Sequence, residues 1–368
     1  MLVGKRNFSL DVLRGFAVFF MLIVNLPGSW SYQYSHFKHA SWNGFQSADL
    51  VFPLFLWIVG FGISFSERNG TGFLFHWKKA IIRTCIFILL GLFLNLFPKF
   101  LWETFRVPGV LQRIGIVYIL TIALLYFFGI RRSVYFSLGS LVIYTFLIWG
   151  TIPSNGNIVL NLDFPDLNPK NNWASVTDHL LFGTHVWKET SPLDPEGLLS
   201  TLPALSTSLF GFYFGFFVQN QNRDSSVQIK MVLSSVLLLA SGVFLSYLIP
   251  LNKTLWSVSF VFLTAGISQL LYCLLEFTKT YNHPIAGWLS LYGKHALFVF
   301  VFSGVVARLS VYSVVRNILF QRIVSITHDF FLASFIFSLI MLLMIFFLLR
   351  IFAILRLRVF RVGAKHGS

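Results

Sequence analysis

The sequence predicts an all-α, polytopic integral membrane protein with about ten transmembrane helices, and three observations carry that prediction. The 368 residues are 56% hydrophobic and only 11% charged, with a mean hydropathy of +0.75, whereas an ordinary soluble domain is roughly a quarter charged. The apolar residues come in long runs instead of alternating, which excludes a water-filled barrel. Ten of these runs approach the ~20 residues that a helix needs to cross a ~30 Å hydrocarbon layer.

The first run, 10–27, follows a short basic start, Met1 to Arg6, as in a signal peptide. It has no small-x-small cleavage pattern and ends at Leu26-Pro27-Gly28, so it reads as a retained first helix. Runs at 47–66, 80–97, 109–129 and 134–152 supply the next four crossings. A long polar stretch, 153–198, separates them from runs at 199–219, 231–249, 255–275, 287–307 and 330–353. The segment 311–326 is shorter and carries Arg316 and Arg322; it is expected at the interface, with an eleventh crossing if it spans. In the sixth helix, Gly211-x-x-x-Gly215 would let a neighbouring backbone approach closely, while Pro203 would loosen the start of the helix by removing a hydrogen bond. The chain, 1–368, reads as a single transmembrane domain without internal repeats or a separate soluble domain.

Lys and Arg placement sets the expected orientation. With the N-terminus in the cytoplasm, the inside set is Lys5, Arg6, Arg68, Lys78, Lys79, Arg131, Arg132, Arg223, Lys230, Lys279, Arg350, Arg356, Arg358, Arg361 and Lys365. That makes fifteen, against nine outside: Lys38, Lys99, Arg106, Lys170, Lys188, Lys253, Arg308, Arg316 and Arg322. Both termini are therefore expected in the cytoplasm, with the Asn25–Ser47 loop and the long 153–198 loop facing outward. The net charge of +15 is read as loop placement, and nucleic acid is not expected as a partner, because no basic run is interleaved with aromatics. Cys85 and Cys273 both fall inside apolar runs, which gives no support to a disulfide framework or a zinc site.

A charge at mid-membrane costs roughly 2.5–3.5 kcal/mol on insertion scales, so each one needs a reason. Asp11 and Arg14 are three apart on one helix face. They either offset each other or place Arg14 beside an anionic ligand. At the outer ends of the first two helices stand Asn25, then His36-Phe-Lys-His39-Ala-Ser-Trp42-Asn43-Gly44, then Asp49. Histidine can accept and return a proton near neutrality. Asn25 could donate to a developing oxyanion, and Asp49 could orient an imidazole. Trp42 suits stacking on a sugar or anchoring at the interface. On the residues alone this loop is equally an ordinary outer loop. Pro108 suits the first turn of the fourth helix, where Arg113 needs a partner such as Asp49 or a substrate anion. Asp194 or Glu196 could cap the sixth helix or bind an ammonium group. Asp178, His179 and His185 match no standard zinc spacing, and no metal is expected.

Several motifs together resemble the heparan-α-glucosaminide N-acetyltransferase family, transmembrane acetyltransferases with lysosomal and bacterial members. They are Leu13-Arg14-Gly15, Lys38-His39-Ala-Ser-Trp-Asn-Gly44 with Ala48-Asp49-Leu-Val-Phe-Pro53, Val107-Pro-Gly-Val-Leu-Gln-Arg-Ile-Gly115, and Asp194-Pro-Glu-Gly-Leu-Leu-Ser-Thr-Leu-Pro203. Asn252-Lys253-x-Leu-Trp256 adds a weaker one, and the resemblance runs from Leu10 to about Phe300. It implies transfer of an acetyl group from cytosolic acetyl-CoA to the amino group of a terminal glucosamine across the membrane. It also implies that His39 is the catalytic histidine and Asn25 the asparagine beside it. The chain then corresponds to the short bacterial form, without the extra first helix and lumenal domain of the lysosomal one. It departs from the family at His295, where Asn is common.

On that resemblance, Asp49, Trp42, Asn43, Arg113, His185, Asp194 and Glu196 are supporting or substrate-binding candidates. Arg14, Lys79, Arg83 and Lys294, with Lys78, are candidates for the phosphates of the co-substrate acetyl-CoA, or else plain positive-inside residues. The expected partners are an amino sugar or oligosaccharide acceptor, acetyl-CoA and the lipid bilayer, with a homodimer left open. The expected location is a bacterial inner membrane with the His39 loop facing the periplasm. Two rival activities stay open: an O-acetyltransferase of a surface glycan, and a secondary transporter of amino sugars.

Overall fold

The computed structural model describes residues 7–68, 77–154, 157–161, 167–221, 225–278 and 283–365. Of the basic residues counted as inside, Lys5, Arg6, Arg223 and Lys279 lie outside these, as does the rest of the basic start. The chain is 74% helical, and the only sheet among the described residues is a two-stranded hairpin, so the all-α expectation holds. The helices are α1 Phe8–Asn25, α2 Val51–Arg68, α3 Trp77–Leu96, α4 Val110–Thr145, α5 Trp173–Phe182, α6 Thr201–Gln219, α7 Ser225–Ser246, α8 Val258–Phe277, α9 Pro284–Lys294, α10 Ala296–Arg308, α11 Ser310–Thr327 and α12 Phe330–Lys365.

Among the described residues, eight helical stretches are long and apolar enough to cross a membrane, or nine if the bent pair α9–α10 is one span. The difference from ten lies in α4. With the π turn Phe146–Gly150 it forms a 41-residue stretch, about 60 Å at 1.5 Å per residue and so twice the hydrocarbon thickness. It is broken at Gly129, whose φ of 71° and ψ of 173° are not helical. The two crossings expected at 109–129 and 134–152 are the two halves of this stretch. The crossing expected at 287–307 is bent by 75° between α9 and α10, where Lys294 and His295 interrupt the apolar run. The segment expected at the interface is α11, an eighteen-residue helix that is not apolar enough to count among the spans.

The chain folds as two compact units. Among the described residues, one runs from His39 to Leu274; the other joins residues 7–38 with residues 275–365. In the first, α2 lies along α6. A Cβ added at Gly60 would stand 1.7 Å from the Ser208 carbonyl oxygen, and one at Gly211 would stand 2.0 Å from that of Trp57. The small residues expected to permit close approach do so here. Pro203 falls in the first turn of α6, which begins at Thr201; a missing N–H there removes no intrahelical bond, which corrects the expected loosening. Among its described residues, the long 153–198 loop carries regular structure. It holds the hairpin β1 Thr151–Ser154 with β2 Asn157–Leu160 and then α5, capped by Asn172, whose Oδ1 accepts from the Ser175 N–H at 3.0 Å. Leu167, Ala174 and Leu193 of this loop pack with Tyr144, Ile148, Trp149, Ile249 and Leu255 into one apolar cluster.

In the second unit α1 lies along α9. A Cβ on Gly293 would stand 1.9 Å from the Asp11 carbonyl oxygen, so the backbones of the two helices touch beside Arg14 and Gly15.

Candidate active site

Asp49 is fully buried at the head of α2. Its Oδ1 accepts from Nδ1 of His39 at 2.8 Å, and its Oδ2 accepts from the backbone N–H groups of Gln46 at 2.9 Å and Ala40 at 3.2 Å. The carboxylate thus folds the 39–49 loop around itself and orients the imidazole. With Nδ1 donating, Nε2 keeps its lone pair. The His39 side chain is 47% exposed, so a reactant has access to it.

A lysine that the sequence alone does not place in the site completes this cluster. Nζ of Lys253 lies 3.0 Å from Nδ1 and 3.3 Å from Nε2 of His39, and 3.7 Å from Oδ1 of Asp49. Burial pulls the Lys253 ammonium below the ordinary lysine range, while Asp49 and Glu196 pull the other way. The α7–α8 connection that carries it is anchored on both sides. Gly44 N–H donates to the Leu251 carbonyl at 2.8 Å, and Nδ2 of Asn252 donates to Oδ1 of Asn43 at 3.1 Å. Buried Asn252 also accepts from the Leu255 N–H at 2.8 Å. Further on, Trp256 has φ 54°, an uncommon conformation for a bulky residue that costs about 1–3 kcal/mol. Burial and a hydrogen bond from its Nε1 to Oγ1 of Thr207 at 3.0 Å hold it there.

A second cluster joins the loops before α4 and α6. Nδ2 of Asn95 donates to the carbonyls of Arg106 at 2.8 Å and Pro108 at 3.0 Å, which fixes the chain between α3 and α4. Arg106 then grips Asp194 with two bonds, Nε to Oδ2 at 2.8 Å and Nη2 to Oδ1 at 2.5 Å, and also donates to Glu196. Its guanidinium lies 5.1 Å from the centre of the Trp187 ring. Burial opposes the Arg106 charge, but Glu196 and Asp194 hold its pKa above the ordinary range. Burial likewise opposes the Glu196 charge, yet Arg106, Arg113 and Lys253 together hold that carboxylate below its usual range. Lys253 and Glu196 act on each other and so link the two clusters electrostatically.

Asp178 underpins this turn. Its oxygens accept from the Asp194 and Leu198 N–H groups, each at 3.0 Å, and burial pushes its pKa up to about 6. A Cβ on Gly197 would stand 2.0 Å from Oδ2 of Asp178, which accounts for glycine in the Asp-Pro-Glu-Gly turn. Buried Arg113 donates through Nη2 to the Gly197 carbonyl at 2.8 Å and to Oγ of Ser200 at 2.5 Å. Its guanidinium lies 5.3 Å from the Trp256 ring and 6.0 Å from that of Phe52.

The structure therefore brings His39, Asp49 and Asn43 together, and separately Arg113, Asp194 and Glu196. Asp194 and Glu196 pair with Arg106, and neither caps α6, whose N-cap Ser200 makes no side-chain cap bond. Nδ1 of His185 donates to the Phe105 carbonyl at 2.8 Å, and its ring packs on Phe105; it straps two loops together. Trp42 is half-buried against the apolar cluster under the long loop. Lys78, Lys79 and Arg83 are exposed on α3, with Nη1 of Arg83 donating to the Tyr118 hydroxyl at 3.3 Å. Asn25, Arg14 and Lys294 belong to the second unit. There Asn25 is the exposed last residue of α1, Nη1 of Arg14 donates to Oδ1 of Asp11 at 3.0 Å, and Lys294 is exposed at the α9–α10 bend. Among the described residues no three His, Cys, Asp or Glu side chains come together as a metal site.

The family model described as heparan-alpha-glucosaminide N-acetyltransferase, catalytic, matches residues 6–249. A relative from Mus musculus, named heparan-alpha-glucosaminide N-acetyltransferase, is 28% identical over 312 residues, which is 70% of this chain and 47% of the relative. A Homo sapiens relative of the same name is 29% identical over 309 residues, 69% of this chain and 46% of the relative. The chain spans about half the length of the curated relatives it matches.

Proposed function

The chain belongs to the heparan-alpha-glucosaminide N-acetyltransferase catalytic family, and on that premise we propose that it is a membrane-bound acetyltransferase. Its donor is acetyl-CoA and its acceptor is the amino group of a glucosamine-type sugar. The observation that carries this reading is the exposed imidazole of His39, held through Nδ1 by buried Asp49.

A protonated amine is not nucleophilic, so a base must take its proton, and the tetrahedral intermediate then needs a donor for its oxyanion. Nε2 of His39 is the base, or alternatively the transient acetyl acceptor, and Asn25 is assigned as an oxyanion or orienting donor. Asp49 is a positioning residue that holds the ring. The candidates for the CoA phosphates are Lys78, Lys79 and Arg83 on the first unit, or Arg14 and Lys294 on the second. The Lys and Arg bias supports cytoplasmic termini, with CoA entering from that side and the His39 loop facing the periplasm of a bacterial inner membrane.

The test is mass analysis of glucosamine and its oligomers incubated with purified protein and isotope-labelled acetyl-CoA. The expected result is an N-acetyl mass shift that His39→Ala abolishes, with a burst of free CoA in the absence of acceptor if acetyl-histidine forms. Near-parental transfer by His39→Ala sinks the assignment.

A further inference from the structure

We infer that Lys253 is a catalytic residue of this acetyl transfer, its ammonium stabilising the oxyanion that develops beside His39. The inference rests on the acetyltransferase reading above. The Lys253 nitrogen stands nearly equidistant from the two ring nitrogens, at 3.0 and 3.3 Å. A carbonyl carbon that bonds to Nε2, or an amine that yields its proton to Nε2, brings the thioester oxygen into the reach of that ammonium.

Two carboxylates oppose the pull of burial on this charge. Oδ1 of Asp49 lies 3.7 Å away, and Glu196 acts on the ammonium from the Arg106 cluster. The backbone is pinned by Asn252 on Asn43 and by the Gly44–Leu251 hydrogen bond. The Lys253 side chain is only 19% exposed, unlike a solvated loop lysine. A preorganised cation in a partly desolvated site is worth far more to a developing negative charge than one in water.

In direct transfer the amine nitrogen attacks the thioester carbon and the carbonyl π pair moves onto oxygen, facing Lys253. The intermediate collapses, the C–N bond stays and the C–S bond breaks with its pair leaving on the CoA thiolate. The amine proton passes to Nε2 and from there to that thiolate. In the covalent route the same oxyanion forms twice: Nε2 attacks the thioester and the CoA thiolate leaves with the C–S pair, then the amine attacks the acetyl-imidazole, the C–N pair returns to Nε2 and the amine proton passes to the thiolate. Lys253 keeps its proton throughout.

The experiment measures steady-state transfer for the parent, Lys253→Met, Lys253→Arg and the exposed-loop control Lys170→Ala, alongside thermal unfolding of each. Expected is a fall in kcat of about 10²–10³-fold in Lys253→Met, the loss seen when one oxyanion donor is removed. KM for both substrates should stay within about threefold, and Lys170→Ala should match the parent. Lys253→Arg, which keeps the charge but moves it, should lose about tenfold or more in kcat, and it decides the matter if Lys253→Met does not fold. A folded Lys253→Met with parental kcat, or a loss confined to KM, overturns this role while the parent's transfer upholds the acetyltransferase reading. Absence of transfer by the parent overturns that reading and this role with it.

Discussion

Replacing Arg106 with Met tests the charged network under the site in a way that separates electrostatics from packing. Met keeps much of the aliphatic stem and removes the guanidinium that serves two carboxylates. Asp194 is fully buried, the Glu196 side chain is 8% exposed and that of Arg106 is 18% exposed. Breaking a buried pair by removing one partner costs about 3–5 kcal/mol, because the remaining charge is left uncompensated. Arg113 and Lys253 still act on Glu196, which keeps the loss within that range although two carboxylates are exposed to it. With an unfolding entropy of about 2 cal/mol/K per residue, the melting midpoint should fall by about 4–7 °C in detergent at neutral pH. In the parent, Glu196 is held below its ordinary pKa, so its contribution is present above the ordinary glutamate range and is lost as pH falls through the folded value. Without Arg106 burial acts against the charge with less opposition, and protonation relieves it. The gap between parent and variant should therefore narrow as pH is lowered from 7 towards about 4, and adding Glu196→Gln to the variant should recover part of the loss. A gap that stays constant with pH, or a double variant less stable than Arg106→Met, would refute the electrostatic account.

Two further outcomes follow from other parts of the molecule. Asp49→Asn offers one acceptor oxygen where three donors converge, so His39 loses its orienting partner; kcat in the acetyl-transfer assay should fall about 10²–10⁴-fold with KM little changed, and a fall below threefold would remove Asp49 from its positioning role. Gly60→Ala places a methyl 1.7 Å from the Ser208 carbonyl oxygen and forces α2 and α6 apart, whereas Gly62→Ala on the same helix meets nothing within 4 Å; the first should lower the melting midpoint by the equivalent of about 1–3 kcal/mol and the second should not, and equal tolerance would show that the helix contact is looser than described.

Much of the fold was legible because membrane helices are fixed by apolar length, which needs no partner to be read. The departures come where local chemistry interrupts an apolar run. The break of α4 at Gly129 is marked by Arg131 and Arg132 and was readable as a gap between two runs, whereas the bend at Lys294 and His295 hides inside a run that is apolar on average. In the site, legibility tracks sequence separation. His39 and Asp49 are ten residues apart, and the types of the two side chains announce the pairing. Asp194 and Glu196 announce acidity but not its counterion, because Arg106 stands 88 residues before Asp194. Lys253 is 214 residues from His39, and long-range contacts such as the Asn252–Asn43 and Gly44–Leu251 bonds bring the two loops together. Its advance signals were its place in the weak Asn252-Lys253-x-Leu-Trp256 motif and a lone charge between two apolar runs, on the side where the proposed orientation disfavours lysine.

That signal bears on the orientation itself. The positive-inside bias concerns charges in short solvated loops, which respond to the membrane and its insertion machinery. Arg106 is neutralised by Asp194 and Glu196, and Lys253 by Asp49 and Glu196. Neither behaves as a free loop charge once the first unit is folded. Removing these two from the nine outer basic residues leaves seven against fifteen, so the exceptions to the bias are in part the residues assigned to the site and its support. On the proposed orientation and chemistry, buried countercharges at the loop ends of α2, α4 and α8 thus serve two ends: they allow cations to stand where that topology disfavours them, and they hold one of those cations against the proposed catalytic histidine.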